Sequence, residues 1–459
     1  MRSHPFAIGL VLISMLYAVG LPPAARAAGR KPNVILIFTD DQGSIDANCY
    51  GAKDLTTPGI DLLASRGVRF TQFYAAAPVC SPSRAGLLTG RYPWLAGMPT
   101  NGSPPPSEEI NDLNEIKQQS RGGEWAREIT MAEMFKAAGY ATGHVGKWHL
   151  HYGPGERPLE QGFDYSFGHM DGCIDNYTHF FYWAGHNRHD LWEGNTRVRM
   201  PGKFFPDLMV EKATAFIEKN KDKPFLLSFA SNLPHYPYQG DNKWIEHYKA
   251  VPYPRNLYNA FMSPLDERVK QLVEVVDRLK LTENTIIIYQ SDNGHSTEER
   301  AHGGGGSAGP YRGAKFSLFE GGIRLPAIIC WPGRLPKGVT RDQVAHSCDW
   351  LPTLAALCDV KLPEAKLHGR SLVDVIRSDE AKSPHDALHW QVGNQWAVRQ
   401  GSWKLIHNVN AAGTEPKLEA GDRPMFLANL ESDPGERTNL AAKHPDMVKR
   451  LQSLHDALK

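Results

Sequence analysis

Asp40 and Asp41 follow one apolar run, and Asp292 and Asn293 follow another. These side chains are hard oxygen donors. They suit Ca2+ or Mg2+, and suit zinc poorly without His or Cys ligands beside them. Arg84, Lys147, Lys315, His149 and His235 are cationic or become so on protonation. A dication next to such groups makes a site for a compact anion, such as phosphate or sulfate. Between these residues lies PVCSPSRAGLLTGR, residues 78–91. Ser81 or Ser83 can cap a helix there, and Pro82 suits its first turn. Cys80 then sits at a positive helix N-terminus, a place for an anion or a nucleophile. A plain thiolate fits such neighbours badly, because sulfur is a poor Ca2+ ligand.

Bringing these residues together requires a frame. Residues 34–38 (VILIF) end in Thr39-Asp40-Asp41, and 285–289 (TIIIY) end in Ser291-Asp292-Asn293-Gly294. Residues 225–229 run toward Pro234-His235, and 140–145 lead to Gly146-Lys147-Trp148-His149. Residues 327–331 are a further strand candidate. Short apolar runs of this kind read as buried parallel strands. Helical spacing lies between them, at Met131–Phe135 with Ala137-Ala138 and at Val269, Leu272, Val273, Val276 and Leu279. Strands alternating with helices predict an α/β fold with a mostly parallel central sheet flanked by helices. In such sheets ligands bind beyond the carboxyl ends of the strands. Four runs each deliver an acid, an amide, a lysine or a histidine at that end. Beyond about residue 375 the pattern changes. Residues 387–390, 397–399 and 403–406 read as a small antiparallel sheet, followed by a helix near 445–458. The expected division is a catalytic domain at 28–375 and a C-terminal subdomain at 376–459.

The chain has 459 residues, with 51 Lys and Arg against 50 Asp and Glu, so the formal net charge is +1. That balance excludes a broad basic surface for nucleic acid. It leaves room for a small, intensely positive pocket. Arg2, an apolar run over 6–21 and Ala25-Arg26-Ala27 have the layout of a cleaved secretory signal peptide over residues 1–27. The run falls short of the roughly 20 residues a spanning helix needs. Export to the periplasm or medium is therefore expected, with no stable membrane anchor. All six cysteines lie beyond that leader, and their pairing cannot be deduced from spacing.

Cys80-Ser81-Pro82-Ser83-Arg84, continued through Gly90, resembles the first signature of the formylglycine-dependent, type I sulfatases of the alkaline phosphatase superfamily. Residues 139–149 (GYATGHVGKWH) match the second. The resemblance extends to Thr39-Asp40-Asp41-Gln42-Gly43, Pro234-His235-Tyr236-Pro237, Ser291-Asp292-Asn293-Gly294, Gly313-Ala314-Lys315 and Glu320-Gly321-Gly322-Ile323-Arg324. It implies that a formylglycine-generating or sulfatase-maturating enzyme oxidises Cys80 to formylglycine, which removes the sulfur difficulty. It implies that Asp40, Asp41, Asp292 and Asn293 bind Ca2+ with modified Cys80. Arg84 and Lys147 would steady the hydrate and the sulfate. Lys315 and His235 would contact sulfate near the leaving oxygen, one of them as general acid. His149 would be the base that resolves a covalent sulfo-enzyme intermediate.

Residues 162–199 are dense in aromatic and polar side chains, which suits sugar faces and hydroxyls or a packed insertion. Asp175-Asn176-Tyr177-Thr178-His179, followed by Asp190-Leu191-Trp192-Glu193, is similar to a region of arylsulfatase B-like enzymes that act on sulfated N-acetylgalactosamine. Asp175, Asn176, Tyr177 and His179 are therefore candidate substrate contacts, with a sulfated carbohydrate or an aryl sulfate as substrate. Two alternatives compete. A phosphate or phosphonate monoester hydrolase of the same superfamily is disfavoured by Cys80 and by a single hard-oxygen cluster. A non-catalytic glycan-binding protein would show loss of Cys80, Arg84 or a metal ligand, and none is missing.

Overall fold

The fold is given by a computed structural model that describes Met1 and residues 30–102, 124–150, 153, 155–182 and 187–458. The leader expected at 1–27, apart from Met1, lies outside the described residues. Strand Asn33–Thr39 is buried along its whole length. Its side chains alternate: Val34, Leu36 and Phe38 enter one apolar layer, and Ile35 and Ile37 the other. Thr285–Ser291 does the same, with Ile286 and Ile288 on one face and Ile287 and Tyr289 on the other. A strand covered on both faces must be apolar at every position, which is why these runs do not alternate with polar residues.

Asn33–Thr39 pairs in parallel with Thr285–Ser291 on one side and Phe225–Ala230 on the other. Ala141–Lys147 and Tyr165–His169 extend this parallel set. The expected mainly parallel sheet is thus present at the centre. Arg324–Cys330 joins it antiparallel to Thr285–Ser291, and Val68–Tyr74 pairs antiparallel with that strand in turn. Helices cover both faces. Pro58–Arg66, Phe205–Asn220 and the long Arg255–Arg278 pack on the Ile35 face. Cys80–Thr89, Met131–Ala137 and Trp350–Cys358 pack on the Val34 face. Each fully buried Leu, Ile or Phe contributes about 1.5–3 kcal/mol before chain entropy is counted.

Register decides where the site lies. Thr39 is opposite Ser291, Phe38 and Gly146 are both opposite Ala230, and Lys147 is opposite His169. The parallel strands therefore end level, and the residues after them meet on one edge. Gly146 allows one close approach. A Cβ there would lie 2.0 Å from the Ala230 carbonyl oxygen, and its φ of 118° also favours glycine.

A second sheet has the order Leu388–Val392, Gln395–Gln400, Trp403–His407, Met425–Asn429, all antiparallel. Helix Pro445–Asp456 lies on one face of it, as expected near the C-terminus. Trp390, Ile406 and Phe426 on the other face share a core with Tyr74, Phe319 and Leu325 of the main body. Helix Val373–Arg377 spans the expected boundary at 375/376, and Lys31–Lys459 forms one compact unit. Lys404 sits in this junction, fully buried, 2.9 Å from Glu320 Oε1 and 3.0 Å from Glu436 Oε1. All six cysteines are free thiols.

Candidate active site

Cys80 is the first residue of helix Cys80–Thr89, and all ten residues of that helix are buried. Val79 is the N-cap, with no side-chain cap bond. The expected serine cap is not formed. Ser83 Oγ instead donates to the Ala77 carbonyl at 2.7 Å and accepts from the Ala77 N–H at 3.1 Å, tying the helix to its own approach loop. Arg84, one turn on, shares the Cys80 face.

The strand ends meet this helix terminus. Cys80 Sγ lies 3.6 Å from Asp40 Oδ1, and Lys147 Nζ donates to Asp40 Oδ2 at 2.5 Å. Arg84 donates from Nη2 to Asp292 Oδ2 at 3.1 Å and from Nη1 to the Lys147 carbonyl at 2.9 Å. Asp292 Oδ1 accepts the Asp41 N–H at 3.1 Å, and Asn293 Nδ2 donates to Asp41 Oδ1 at 2.7 Å. Lys315 Nζ donates to Asp41 Oδ2 at 2.9 Å, with His235 Nε2 at 3.6 Å from the same oxygen. Asp41 and His149 both have positive φ, 59° and 53°, uncommon for non-glycine residues. His149 projects toward Gly172, where a Cβ would come 2.9 Å from ring atoms Cε1 and Nε2.

The charges show what the cluster lacks. Burial works against the charge of Asp40, but Lys147, His235, Arg84 and Lys315 outweigh it and hold its pKa well below the usual carboxylate range. Asp41 is pushed up to about 6 by burial and by Asp40, against the pull of Lys315. Asp292 is pushed up to about 7, first by burial and then by Asp40. Burial lowers His149 and His235 well below the ordinary histidine range, and Lys147 and Lys315 respectively add to that. Burial also pushes the Cys80 thiol well up, so the unmodified residue is a thiol and not a thiolate nucleophile.

A cation fits this donor set. Asp40, Asp41, Cys80 and His235 offer ligand atoms within 4.8 Å of one another. Asn293 Oδ1 is buried and accepts no hydrogen bond among the described residues. Asp292 and Asn293 bond directly to Asp41 and so belong to the same cluster. Carboxylates and an amide oxygen favour a hard dication, and a bound cation would oppose the rise that burial and then Asp40 impose on Asp41 and Asp292.

The four candidate substrate contacts also make contacts within the protein, with His179 Nδ1 buried and without a hydrogen-bond partner among the described residues. Asp175 Oδ1 accepts from the Tyr177 N–H at 3.0 Å and from the Thr178 N–H at 2.6 Å, an Asx turn. Asn176 is buried, and its Oδ1 accepts from Asn232 Nδ2 at 2.8 Å. Tyr177 stacks on Phe204, and His179 Nε2 pairs with the Lys203 carbonyl at 3.0 Å. Asn232 is three residues before His235, so this turn braces the loop that carries His235. Two neighbours of the cluster escaped the sequence reading. Glu298 lies 3.7 Å from Lys315 Nζ, and Tyr236 OH donates to it at 3.3 Å. Glu298 is six residues past Asp292 in the same polar run, the one available signal. Gly172 offers none.

Comparison with known proteins agrees with this geometry. The family model described as Sulfatase matches residues 32–360, and that of N-sulphoglucosamine sulphohydrolase, C-terminal, matches 313–459. The chain is 34% identical to arylsulfatase A of Homo sapiens, covering 94% of this chain and 88% of the other. It is 32% identical to an N-acetylgalactosamine-6-O-sulfatase of Bacteroides thetaiotaomicron, covering 94% and 93%. The crystal structure of Ps i-CgsB in complex with k-i-k-neocarrahexaose superposes with a TM-score of 0.80 at 26% identity, over 94% and 93% of the two chains. With the family matched over most of its length, this chain belongs to the type I sulfatases of the alkaline phosphatase superfamily and is a sulfuric ester hydrolase.

Proposed function

We propose that this chain is an exported sulfatase of sulfated carbohydrates, completed by a formylglycine formed from Cys80 and by a bound Ca2+. The observation that carries the reading is the meeting of buried Cys80 with Asp40, Lys147 and Arg84 at the level strand ends. The carbohydrate substrate is supported by the N-acetylgalactosamine-6-O-sulfatase relative and by the sugar-bound structural neighbour. Export is supported by the leader-like residues 1–27. No helix among the described residues is long and apolar enough to cross a membrane.

Asp40, Asp41, Asp292, Asn293 and the oxygens formed at position 80 would hold the Ca2+, which would supply positive charge for an anionic substrate. Formylglycine supplies a hydrated aldehyde, a nucleophile with two hydroxyls on one carbon. The remaining chemistry belongs to the chain's own side chains. Arg84 and Lys147 orient anionic oxygen; both are nearly inaccessible, so water does not compete for them. Lys315 Nζ and His235 Nε2 converge on Asp41, and one of them delivers a proton to the departing alcohol. His149, kept neutral by burial, accepts a proton at its ring nitrogen. In this reading residues 28–375 carry the chemistry and 376–459 brace it. Gln395 Nε2 donates to the Phe316 carbonyl at 3.3 Å, next to Lys315. Asp175, Asn176, Tyr177 and His179 stay the proposed substrate contacts, on a turn that also braces the His235 loop through Asn232.

Two measurements test the proposal. Mass spectrometry of the Cys80 peptide, from protein made with its maturation enzyme, should find the aldehyde or its hydrate. The same protein should release inorganic sulfate from sulfated mono- or disaccharides. An unmodified thiol in fully active protein defeats the formylglycine assignment. Faster release of phosphate than of sulfate defeats the substrate class.

A further inference from the structure

Glu298 is out of place for an anion-binding pocket. Its side chain is 22% exposed, while its neighbour Lys315 is 4% exposed. A carboxylate beside the lysine that faces the sulfate opposes anion binding, unless it does something for the rest of the substrate. It is also held still. Oε2 accepts from Ser296 Oγ at 2.9 Å and from Tyr236 OH at 3.3 Å, and lies 3.7 Å from Lys315 Nζ. The Glu298 N–H donates back to Ser296 Oγ at 3.2 Å. Oε1 accepts no hydrogen bond from any described residue. One oxygen is thus anchored and the other is open, on a side chain that reaches the surface.

We propose that Glu298 Oε1 accepts a hydrogen bond from the free hydroxyl nearest the ester being cleaved, and so selects sulfated sugars in which that hydroxyl is unmodified. This rests on the sulfatase reading above, which sets Lys315 at the leaving oxygen. Glu298, in contact with Lys315, then faces the next substituent of the sugar ring. Lys315 bonds Asp41 at 2.9 Å and lies farther from Glu298, at 3.7 Å, so it does not cancel the carboxylate, which suits a neutral hydrogen-bond donor. A second sulfate at that position would meet the carboxylate and be repelled. A carboxylate accepting from a hydroxyl makes a charge-assisted bond. A site built to bond a hydroxyl rejects the analogue that lacks it, because the partner group is left unsatisfied.

The test compares matched substrates on the mature, full-length enzyme. The probes are hexosamine and galactose monosulfates, the deoxy analogue of each that lacks the hydroxyl nearest the ester, and 4-nitrocatechol sulfate. The wild type should prefer the hydroxyl-bearing sugar by about ten- to a hundredfold in kcat/KM. Glu298→Ala should bring that ratio close to one, and Glu298→Gln, which keeps a neutral acceptor, should retain part of it. If Glu298 only positions Lys315, both members of each pair fall together and the ratio stays, which overturns the proposal. Cleavage of the aryl sulfate without any sugar sulfate also overturns it and leaves the sulfatase reading standing. No sulfate released from any probe by wild-type enzyme defeats the sulfatase reading itself.

Discussion

At the carboxyl edge of the main sheet, Asp40, Asp41 and Asp292 face Arg84, Lys147 and Lys315. Where the two sheets meet, Glu320 and Glu436 face Lys404. Both clusters are buried, yet they are finished differently. In the junction, Lys404 bridges the two acids, and Tyr74 OH donates to Glu320 Oε2 at 2.6 Å. Burial opposes the charge of Glu320, but Lys404, Arg324 and Arg399 hold its pKa down at about 2. Glu436 accepts the Glu320 N–H at 2.6 Å, but burial and then the charge of Glu320 push it up to about 7 against the pull of Lys404, so raised carboxylates occur in both clusters. In the strand-end cluster, two of three aspartates are pushed up to about 6 and about 7. Asn293 Oδ1 and Arg84 Nε are buried there with no partner among the described residues. The contrast separates two uses of buried charge. One network joins sheets through a lysine within 3.0 Å of both its acids; the other leaves an amide oxygen and a guanidinium N–H free to meet a ligand.

The largest expected effect breaks the open cluster at Cys80, the proposed site of the nucleophile. Cys80→Ala should cut sulfate release by at least about a thousandfold. The apparent Tm should move little, because one small side chain is lost from a helix that is otherwise intact. Wild-type turnover by purified Cys80→Ala enzyme would overturn the assigned role.

Metal removal comes next. Stripping the mature enzyme with a chelator should abolish most of its activity and lower its Tm, and Ca2+ should restore both. The Tm rise follows from binding to the folded state alone. Activity and Tm both indifferent to chelation, in protein verified as metal-free, would show that the open acceptors have another purpose.

The closed cluster should fail in stability instead. Lys404→Met leaves Glu320 and Glu436 buried without their shared cation, which should cost about 3–5 kcal/mol in urea unfolding. The fraction that remains folded should keep most of its specific activity. A variant as stable as wild type would mean that the junction charges are structurally neutral.

Asp40, Asp41, Lys147, Asp292 and Asn293 were legible in the sequence because each follows an apolar run, whereas Cys80, Arg84 and Lys315 were picked out by residue type and motif. A parallel sheet must bring such ends level, whatever the connections between them. The antiparallel return of Arg324–Cys330 was not legible, since an apolar run carries no direction. The junction was hidden for another reason: Lys404 lies 84 residues from Glu320, and Glu436 lies 116 residues from it. Only the packed core brings them together. The turn at Asp175 was not legible either: composition there suggests sugar contacts, and only the folded chain shows Asp175 accepting from the Tyr177 and Thr178 N–H groups, as in an Asx turn. Gly172 was invisible because its contribution is the absence of a side chain.

The smallest change sharpens the comparison most, because it perturbs the open cluster without touching a charge. A Cβ at position 172 would stand 2.9 Å from both Cε1 and Nε2 of His149. What must give way is the end of an imidazole, not backbone, so the fold should tolerate the methyl group. Gly172→Ala should therefore leave the Tm within a few degrees of wild type while turning the His149 ring. General-base catalysis requires the ring nitrogen within hydrogen-bond reach of the proton it takes, so kcat should fall by about tenfold or more. KM should change little, since Arg84, Lys147 and the acid cluster are undisturbed. A loss confined to KM, or a large drop in Tm with normal kcat, would show that Gly172 serves the loop and not the orientation of His149.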